Sequence, residues 1–490
     1  MPPKQAARRP LRPRQAAALV AGCLLTRPAL AQPAPMQLVP VTPQAAAPAP
    51  AAAAPDTFWT RSNLLGTIGG ARVALGQLGL SVGLQETSEV LGNLTGGVHQ
   101  GAAYDGVTEL SLGLDTAKAF GWDGGAFNVS ALQIHGRNLS SDNLDSLQTA
   151  SGIAADRAAR LWEVWYQQAF LDGAVDVKLG QQSIDQEFMT SQYAGLFVNT
   201  MMGWPAVPSY DLYAGGPAYP LSAPGVRLRA TTGAITALAG VFDDNPPGGP
   251  FDDDAQTRGA ERSGTRFNTG TGALIVAEVQ YGLNQPAAGQ VETAPGSGGL
   301  AGTYKLGAWY DTGAFPDQRL DTSGLSLADP ASNGQARRYH GNYSLYAAAD
   351  QAVWVPDRTA ARTLAVFARL MGAPGDRNLV DFSFNAGVTL KAPLGGRDSD
   401  TAGIGFGLAR VGGAAAGLDA DTAFYSGTAT PRRGMETFLE VTYQYAVAPW
   451  WQVQPDFQYT FNPGGGLLNP ATGRRIHDEA VLGLRTAITF

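Results

Sequence analysis

The last eleven residues read Ala480-Val481-Leu482-Gly483-Leu484-Arg485-Thr486-Ala487-Ile488-Thr489-Phe490. In an extended chain successive side chains point to opposite sides, so Leu482, Leu484, Ile488 and Phe490 share one face and Gly483, Arg485 and Ala487 the other. The apolar face is complete to the terminal residue. A strand between hydrocarbon and an aqueous lumen needs this pattern, and Phe490 therefore points to a sheet that closes in lipid.

Half-buried strands of soluble proteins alternate as well, so repetition along the chain decides the matter. Leu110, Leu112 and Leu114 alternate with Glu109, Ser111 and Gly113; Val175, Val177 and Leu179 with Asp176, Lys178 and Gly180. Phe382, Phe384, Ala386, Val388 and Leu390 oppose Asp381, Ser383, Asn385, Gly387 and Thr389, and the partners of Trp451, Val453, Phe457, Tyr459 and Phe461 are all polar. Sixteen such segments follow Gly79, among them 79–88, 302–311 and 343–353. Short connections such as Leu171-Asp172-Gly173 and Ala448-Pro449 mix with long Gly/Pro/Asp-rich ones, as periplasmic turns and extracellular loops do. The fold class is all-β: a transmembrane antiparallel β-barrel of about 16 strands. A short N-terminal amphipathic helix precedes it, because Leu64, Ile68, Leu75 and Leu78 fall at helical spacing between Asn63 and Leu78.

Composition agrees. Charged residues make up 15% of the 490 and Gly reaches 62. No run approaches the roughly 18 apolar residues of a spanning helix, so any crossing is made by strands. Residues 1–31 form a signal peptide, with basic Lys4, Arg8, Arg9, Arg12 and Arg14, an apolar Ala16–Leu25 and an Ala29-Leu30-Ala31 cleavage pattern. Cleavage after Ala31 removes six basic residues and no acidic one, taking the formal charge from −7 to −13. That balance argues against nucleic acid as a partner. The single cysteine, Cys23, lies within the signal, so thiol and disulfide chemistry are absent from the mature chain. Residues 32–59 form an Ala/Pro-rich periplasmic linker, and 60–490 the barrel.

The longest connection, Ser183 to Pro224, is too long for an idle loop. Two readings stand for its aromatic residues, among them Phe188, Phe197, Trp204 and Tyr213: they fold inward and constrict the channel, or they form an external cap or a surface between subunits. The outward aromatics Tyr443, Tyr445, Trp450, Trp451, Tyr459 and Phe461 read as interfacial belts.

Several patterns in this order resemble the carbohydrate-selective porins of the OprB family: Gly69-Gly70-Ala71-Arg72, Gly180-Gln181, Phe197-Val198-Asn199, Ala223-Pro224-Gly225-Val226-Arg227, Gly341-Asn342-Tyr343, Asp350-Gln351, Glu436 with Glu440, Gln454-Pro455-Asp456-Phe457-Gln458-Tyr459 and Gly483-Leu484-Arg485. The resemblance spans residues 60–490 and implies a sixteen-stranded outer-membrane barrel that passes small sugars by facilitated diffusion, without cofactor or energy coupling. Outer-membrane lipids, small sugars and a second copy of the chain are the partners it brings into view.

A sugar offers hydroxyls at its edges and C–H groups on its faces, so a sugar channel needs forked polar side chains and aromatic platforms. The inward phase supplies both. Glu163, Trp165 and Gln167 alternate inward on one strand and Lys305, Trp309 and Asp311 on another; Arg227, Arg229, Glu278, Glu440, Gln454, Asp456, Gln458 and Arg485 complete the set. Arginine outnumbers lysine 29 to 5, and its planar fork suits paired hydroxyls. The competing role for each is a charge pair that holds the wall in shape. Catalysis finds little support: Gly79-Leu80-Ser81-Val82-Gly83 matches a nucleophile elbow but opens a strand, and His99, His135, His340 and His477 lack metal-ligand spacing. The Asp243-Asp244-Asn245 and Asp252-Asp253-Asp254 stretches read as a solvated loop and not as an EF-hand. A porin with other selectivity is the nearest alternative, and a secreted β-solenoid or sandwich a more distant one.

Overall fold

The computed structural model describes residues 57–248, 262–285, 299–356 and 362–490. The segment read as a signal peptide, most of that read as an Ala/Pro linker, and Asp252–Asp254 lie outside them. Sixteen antiparallel strands form one closed barrel. The first eight are β1 Leu80–Thr95, β2 Gly101–Asp115, β3 Gly125–Gly136, β4 Ala158–Phe170, β5 Val175–Gln182, β6 Ala223–Thr232, β7 Ile235–Asp243 and β8 Ala273–Leu283. The second eight are β9 Gly302–Asp321, β10 Ala336–Trp354, β11 Thr363–Gly372, β12 Val380–Lys391, β13 Thr401–Val411, β14 Met435–Ala448, β15 Trp451–Phe461 and β16 Glu479–Thr489.

Each strand pairs with its sequence neighbours, and β16 closes on β1 with Glu89 opposite Arg485 and Val90 opposite Leu484. Closure leaves no unpaired edge, the condition for a sheet in hydrocarbon. The alternation assigns the faces: Leu482 and Leu484 are more than half exposed on the outer wall, whereas Gly483 and Arg485 are buried inside. The last two residues are held by three bonds near the seam: Phe490 N donates to Leu84 O at 2.9 Å, Leu64 N to Thr489 O at 2.8 Å, and Arg72 Nη2 to Phe490 O at 2.8 Å.

The structure corrects the sequence reading in three places. The N-terminal helix is confined to Ala71–Gln77, because Gly66, Gly69 and Gly70 take positive φ and interrupt the turns before it. Strands β1, β9 and β10 run beyond the segments read from periodicity, to Thr95, to Asp321 and from Ala336. These extensions lie at the extracellular ends, where both faces are wet and nothing enforces alternation. Trp450 is buried instead of lipid-facing. Its indole donates to Phe58 O at 2.9 Å and its ring meets Phe58 edge-on, so the N-terminal segment covers it. Tyr445 and Phe461 keep the outward exposure of a belt.

Candidate permeation site

The 183–222 connection folds inward. Every residue from Phe197 to Ala223 is buried, which an external cap would not achieve. Phe188, Met189, Phe197, Met201, Met202 and Trp204 pack against inward wall residues Phe242, Leu274, Val276, Trp309, Tyr346 and Phe367 in one apolar cluster. The strand behind it is cut away: a Cβ on Gly405 of β13 would lie 2.7 Å from Met202 Cε and 2.8 Å from Phe197 Cε1. A glycine there lets the segment lie against the wall.

Polar wall side chains hold its backbone. Glu440 accepts from Val198 N at 2.5 Å and Asn199 N at 3.2 Å. Glu278 accepts from Met189 N at 2.9 Å and from the Tyr346 hydroxyl at 2.8 Å. Asp350 accepts from Ser191 Oγ at 2.6 Å and Gln192 N at 3.2 Å, while Lys305 Nζ donates to Thr190 O at 2.9 Å. Gln454 donates to Leu196 O at 2.7 Å. Arg369 lies wholly buried and donates to the carbonyls of Met189 and Met201 at 2.7 Å and of Met202 and Gly203 at 3.0 Å. Backbone groups removed from water need such partners, and charged ones bind them strongly.

A second connection, 137–157, also turns inward. Glu436 accepts from Leu147 N at 2.7 Å and Gln148 N at 2.6 Å, and also from Gly464 N at 2.6 Å in the β15–β16 loop. Gln458 Nε2 donates to Ala150 O at 2.8 Å, and Asn199 Nδ2 donates to Gln458 Oε1 at 2.9 Å. The two inward connections meet at Thr200 N, which donates to Thr149 O at 3.1 Å.

On β4 to β6 the wall carries charges of both signs. Lys178 and Arg227 stand directly opposite one another, and Glu187 of the inward segment pairs with both, at 2.6 Å to Arg227 Nε. Arg227 also pairs with Asp176 and reaches Gln167 Oε1 at 3.3 Å. Arg229 has one partner, Asp176 Oδ2 at 2.6 Å, and about a third of its side chain is exposed. Trp165 presents its ring to Lys178 Nζ at 4.8 Å, and its indole reaches Glu163 Oε2 at 3.3 Å. Glu163 accepts from Ser183 N at 3.0 Å, the first residue after β5. Burial works to raise the Glu187 carboxyl, but Lys178 and Arg227 outweigh it and hold it near 2.

Asp185, two residues before it, has no cation beside it. Burial pushes its carboxyl up to about 6 against hydrogen bonds from Ser183 Oγ at 2.5 Å and Tyr219 N at 3.1 Å. The folded state therefore holds a proton that the unfolded chain releases near pH 4, and this group's contribution to stability falls as pH rises from about 4 to about 6. Asp185→Asn is expected to abolish that fall. Midpoints of heat-modified gel migration at pH 4 and pH 7 check it; an equal pH response in the variant and the parent would refute the assignment.

All twelve inward candidates thus point into the barrel, but the structure divides them. Glu163, Glu278, Lys305, Glu440, Gln454 and Gln458 bind the inward connections, and Trp309 is sealed among apolar side chains. Arg485 is paired with Glu89 across the seam, and Asp456 accepts from Gln458 at 2.8 Å. Arg227 is locked by three partners, Asp176, Glu187 and Gln167. Trp165 and Arg229 keep inward surface. The roles of Asp350, Arg369 and Glu436, and the inward course of 137–157, were not read from the sequence. Arg369 did leave a signal: it is the one charge among the inward residues Ala365, Phe367 and Met371 of β11.

A closed barrel of this size, narrowed from within by extracellular connections and lined by paired charges, is an outer-membrane porin. The sequence model described as carbohydrate-selective porin, OprB family, matches residues 99–490. The chain belongs to that family of carbohydrate-selective porins. It is 26% identical over 439 residues to Porin B of Pseudomonas aeruginosa, covering 84% of this chain and 88% of that one. A protein named putative porin QuiX from Acinetobacter baylyi is 23% identical over 461 residues, covering 88% and 94%. Among solved structures, that of Pseudomonas putida OprB at high pH superposes with a TM-score of 0.76 at 24% identity, covering 89% of this chain and all of the other.

Proposed function

We propose that small sugars pass between the inward connections and the β4–β6 wall, and that Trp165, Gln167 and Arg229 contact them. One observation carries this reading: on most of the wall the polar side chains are buried against the inward connections or against one another, whereas these three, near the periplasmic ends of their strands, keep inward exposure. Trp165 offers an apolar platform for a ring face, and Arg229 and Gln167 offer donors for paired hydroxyls. Passage is passive, with no catalytic step. Residues 1–31 serve as the cleaved export signal and 32–59 as the periplasmic linker in this reading.

Trp165→Ala is expected to weaken sugar block of single-channel conductance by roughly five- to ten-fold, the worth of about 1 kcal/mol of aromatic contact. Ion conductance without sugar should change little. Arg229→Ala should likewise reduce sugar block at unchanged thermal stability, whereas Arg227→Ala, which strips partners from Asp176 and Glu187, should lower stability first. If Trp165→Ala and Arg229→Ala both leave sugar block intact, the proposed route is wrong.

A second reading, passage of small organic acids, draws on Lys178, Arg227 and Arg229, three cations against the two carboxylates Asp176 and Glu187. Liposome swelling separates the two. Faster entry of glucose than of a similarly sized sugar acid supports the first, and the reverse order supports the second.

A further inference from the structure

The Asp243-Asp244-Asn245 stretch is not the solvated loop its composition suggests: all three residues are buried where β7 ends. The register sets Asp243 opposite Ala273 of β8, and Asp311 of β9 opposite Leu274, so the carboxylates of Asp243, Asp244 and Asp311 meet at one level of the inner wall. Asp244 is 1% exposed and Asp311 0%. Each of these two is fixed through one oxygen and open at the other. Asp244 Oδ1 accepts from Thr271 Oγ1 at 2.7 Å, and Asp311 Oδ1 from Gly313 N at 2.7 Å. Both Oδ2 atoms are sealed from solvent without a hydrogen-bond donor. The carboxyls lie within hydrogen-bond reach of each other, so their open oxygens border one space.

The surroundings hold that geometry in place. A Cβ on Gly272 would collide with Asp244 Oδ2, and one on Gly313 would lie 3.0 Å from Asp311 Oδ1 and 2.5 Å from the Tyr213 ring. Asn268 Nδ2 braces the turn, donating to Asp243 Oδ1 at 3.0 Å and to Asn245 O at 2.8 Å. Among the described residues no lysine, arginine or histidine forms an ion pair with Asp244 or Asp311. The Glu440–Asp456 pair is also in contact, but there Glu440 takes two backbone N–H groups and Asp456 the amide of Gln458. Glu109 and Glu479 lack donors as well, yet neither has a second carboxyl in hydrogen-bond contact.

Two ionised carboxylates in contact repel strongly where water is excluded, and one shared proton still leaves a buried negative charge without a counter-charge. A divalent cation neutralises both. We infer that Asp244 and Asp311 hold a calcium ion that clips the start of the β7–β8 connection to β9. The donors are oxygens alone, the ligand set of a hard cation, and calcium gives up its water more readily than magnesium to enter a buried site. No three acidic or imidazole side chains among the described residues gather as a metal centre, so neutral oxygens and water complete the shell around the two carboxylates. The inward segment is moored at the same level. The Tyr213 hydroxyl donates to Ala314 O at 2.9 Å and accepts from Ala314 N at 3.0 Å, so the ion steadies the stretch of β9 that holds it.

Two measurements test this on the full chain in detergent after treatment with a chelator. Terbium, whose emission is sensitised by a nearby tyrosine such as Tyr213, should bind and be displaced by calcium at least ten-fold more tightly than by magnesium. Calcium should also raise the temperature of heat-modified migration. Asp244→Asn and Asp311→Asn should each weaken calcium and terbium binding ten-fold or more and remove the calcium-dependent rise. Asparagine keeps the shape and can donate to the remaining carboxylate, so these variants should fold. Asp398→Asn, in an exposed turn, should change neither readout. A parent that binds no more calcium than the two variants, and whose migration temperature ignores calcium, shows that the pair shares a proton and overturns the proposal. So does calcium binding that survives both substitutions, or equal displacement of terbium by magnesium and calcium.

Discussion

Replacing Arg369 with methionine should raise single-channel conductance by roughly two-fold or more and abolish sugar block, because the pore width depends on the segment this side chain holds. Its guanidinium reaches four carbonyls of the inward segment, between Met189 and Gly203, and Asn385 Oδ1 at 3.2 Å. Methionine fills much of the volume and satisfies none of them. Removing one member of a buried charged network is destabilising by about 3 to 5 kcal/mol. The barrel ladder does not pass through Arg369's side chain, so the loss falls on the segment and the barrel should still assemble. Planar-bilayer recordings with and without glucose check this, and unaltered conductance with intact sugar block would show that the segment is held by its apolar packing alone.

The second large effect is expected at Glu436. One carboxylate, fully buried, receives the N–H groups of Leu147, Gln148 and Gly464, and so ties the 137–157 connection and the β15–β16 loop to β14. Glu436→Ala leaves three buried donors without an acceptor, a loss of about 3 kcal/mol or more. Glu436→Gln should be nearly as harmful, because the amide presents its own N–H groups to backbone donors. The readouts are the temperature of heat-modified migration and the noise of the open channel. A glutamine variant as stable and as quiet as the parent would mean that ordinary hydrogen bonding, and not the charge, holds the two loops.

Both predictions concern residues whose importance was poorly legible along the chain. Glu436 and Asp350 stand in polar inward positions that alternation identifies correctly, but alternation does not say whether an inward carboxylate meets water, an arginine or a loop backbone. The competing expectation was an Arg–carboxylate ladder, and one occurs at Asp176, Arg227 and Glu187 and again at Glu89 and Arg485. Elsewhere the partner is a peptide N–H or carbonyl from a connection more than a hundred residues away, as with Glu440 and Val198. Arg227 and Arg229 make the point within one strand. They share a face and a residue type, yet one is enclosed by Asp176, Glu187 and Gln167 and the other is open on one side.

Sixteen strands, the faces they present and the closure at Phe490 were determined by the sequence alone, because lipid on one side and water on the other impose a period of two that each strand carries locally. The course of the two inward connections, and with it the division of inward side chains between those that grip a loop and those left for a solute, was decided only by the tertiary structure. Loops have no such period, and their positions follow from packing against wall residues that are distant in the chain.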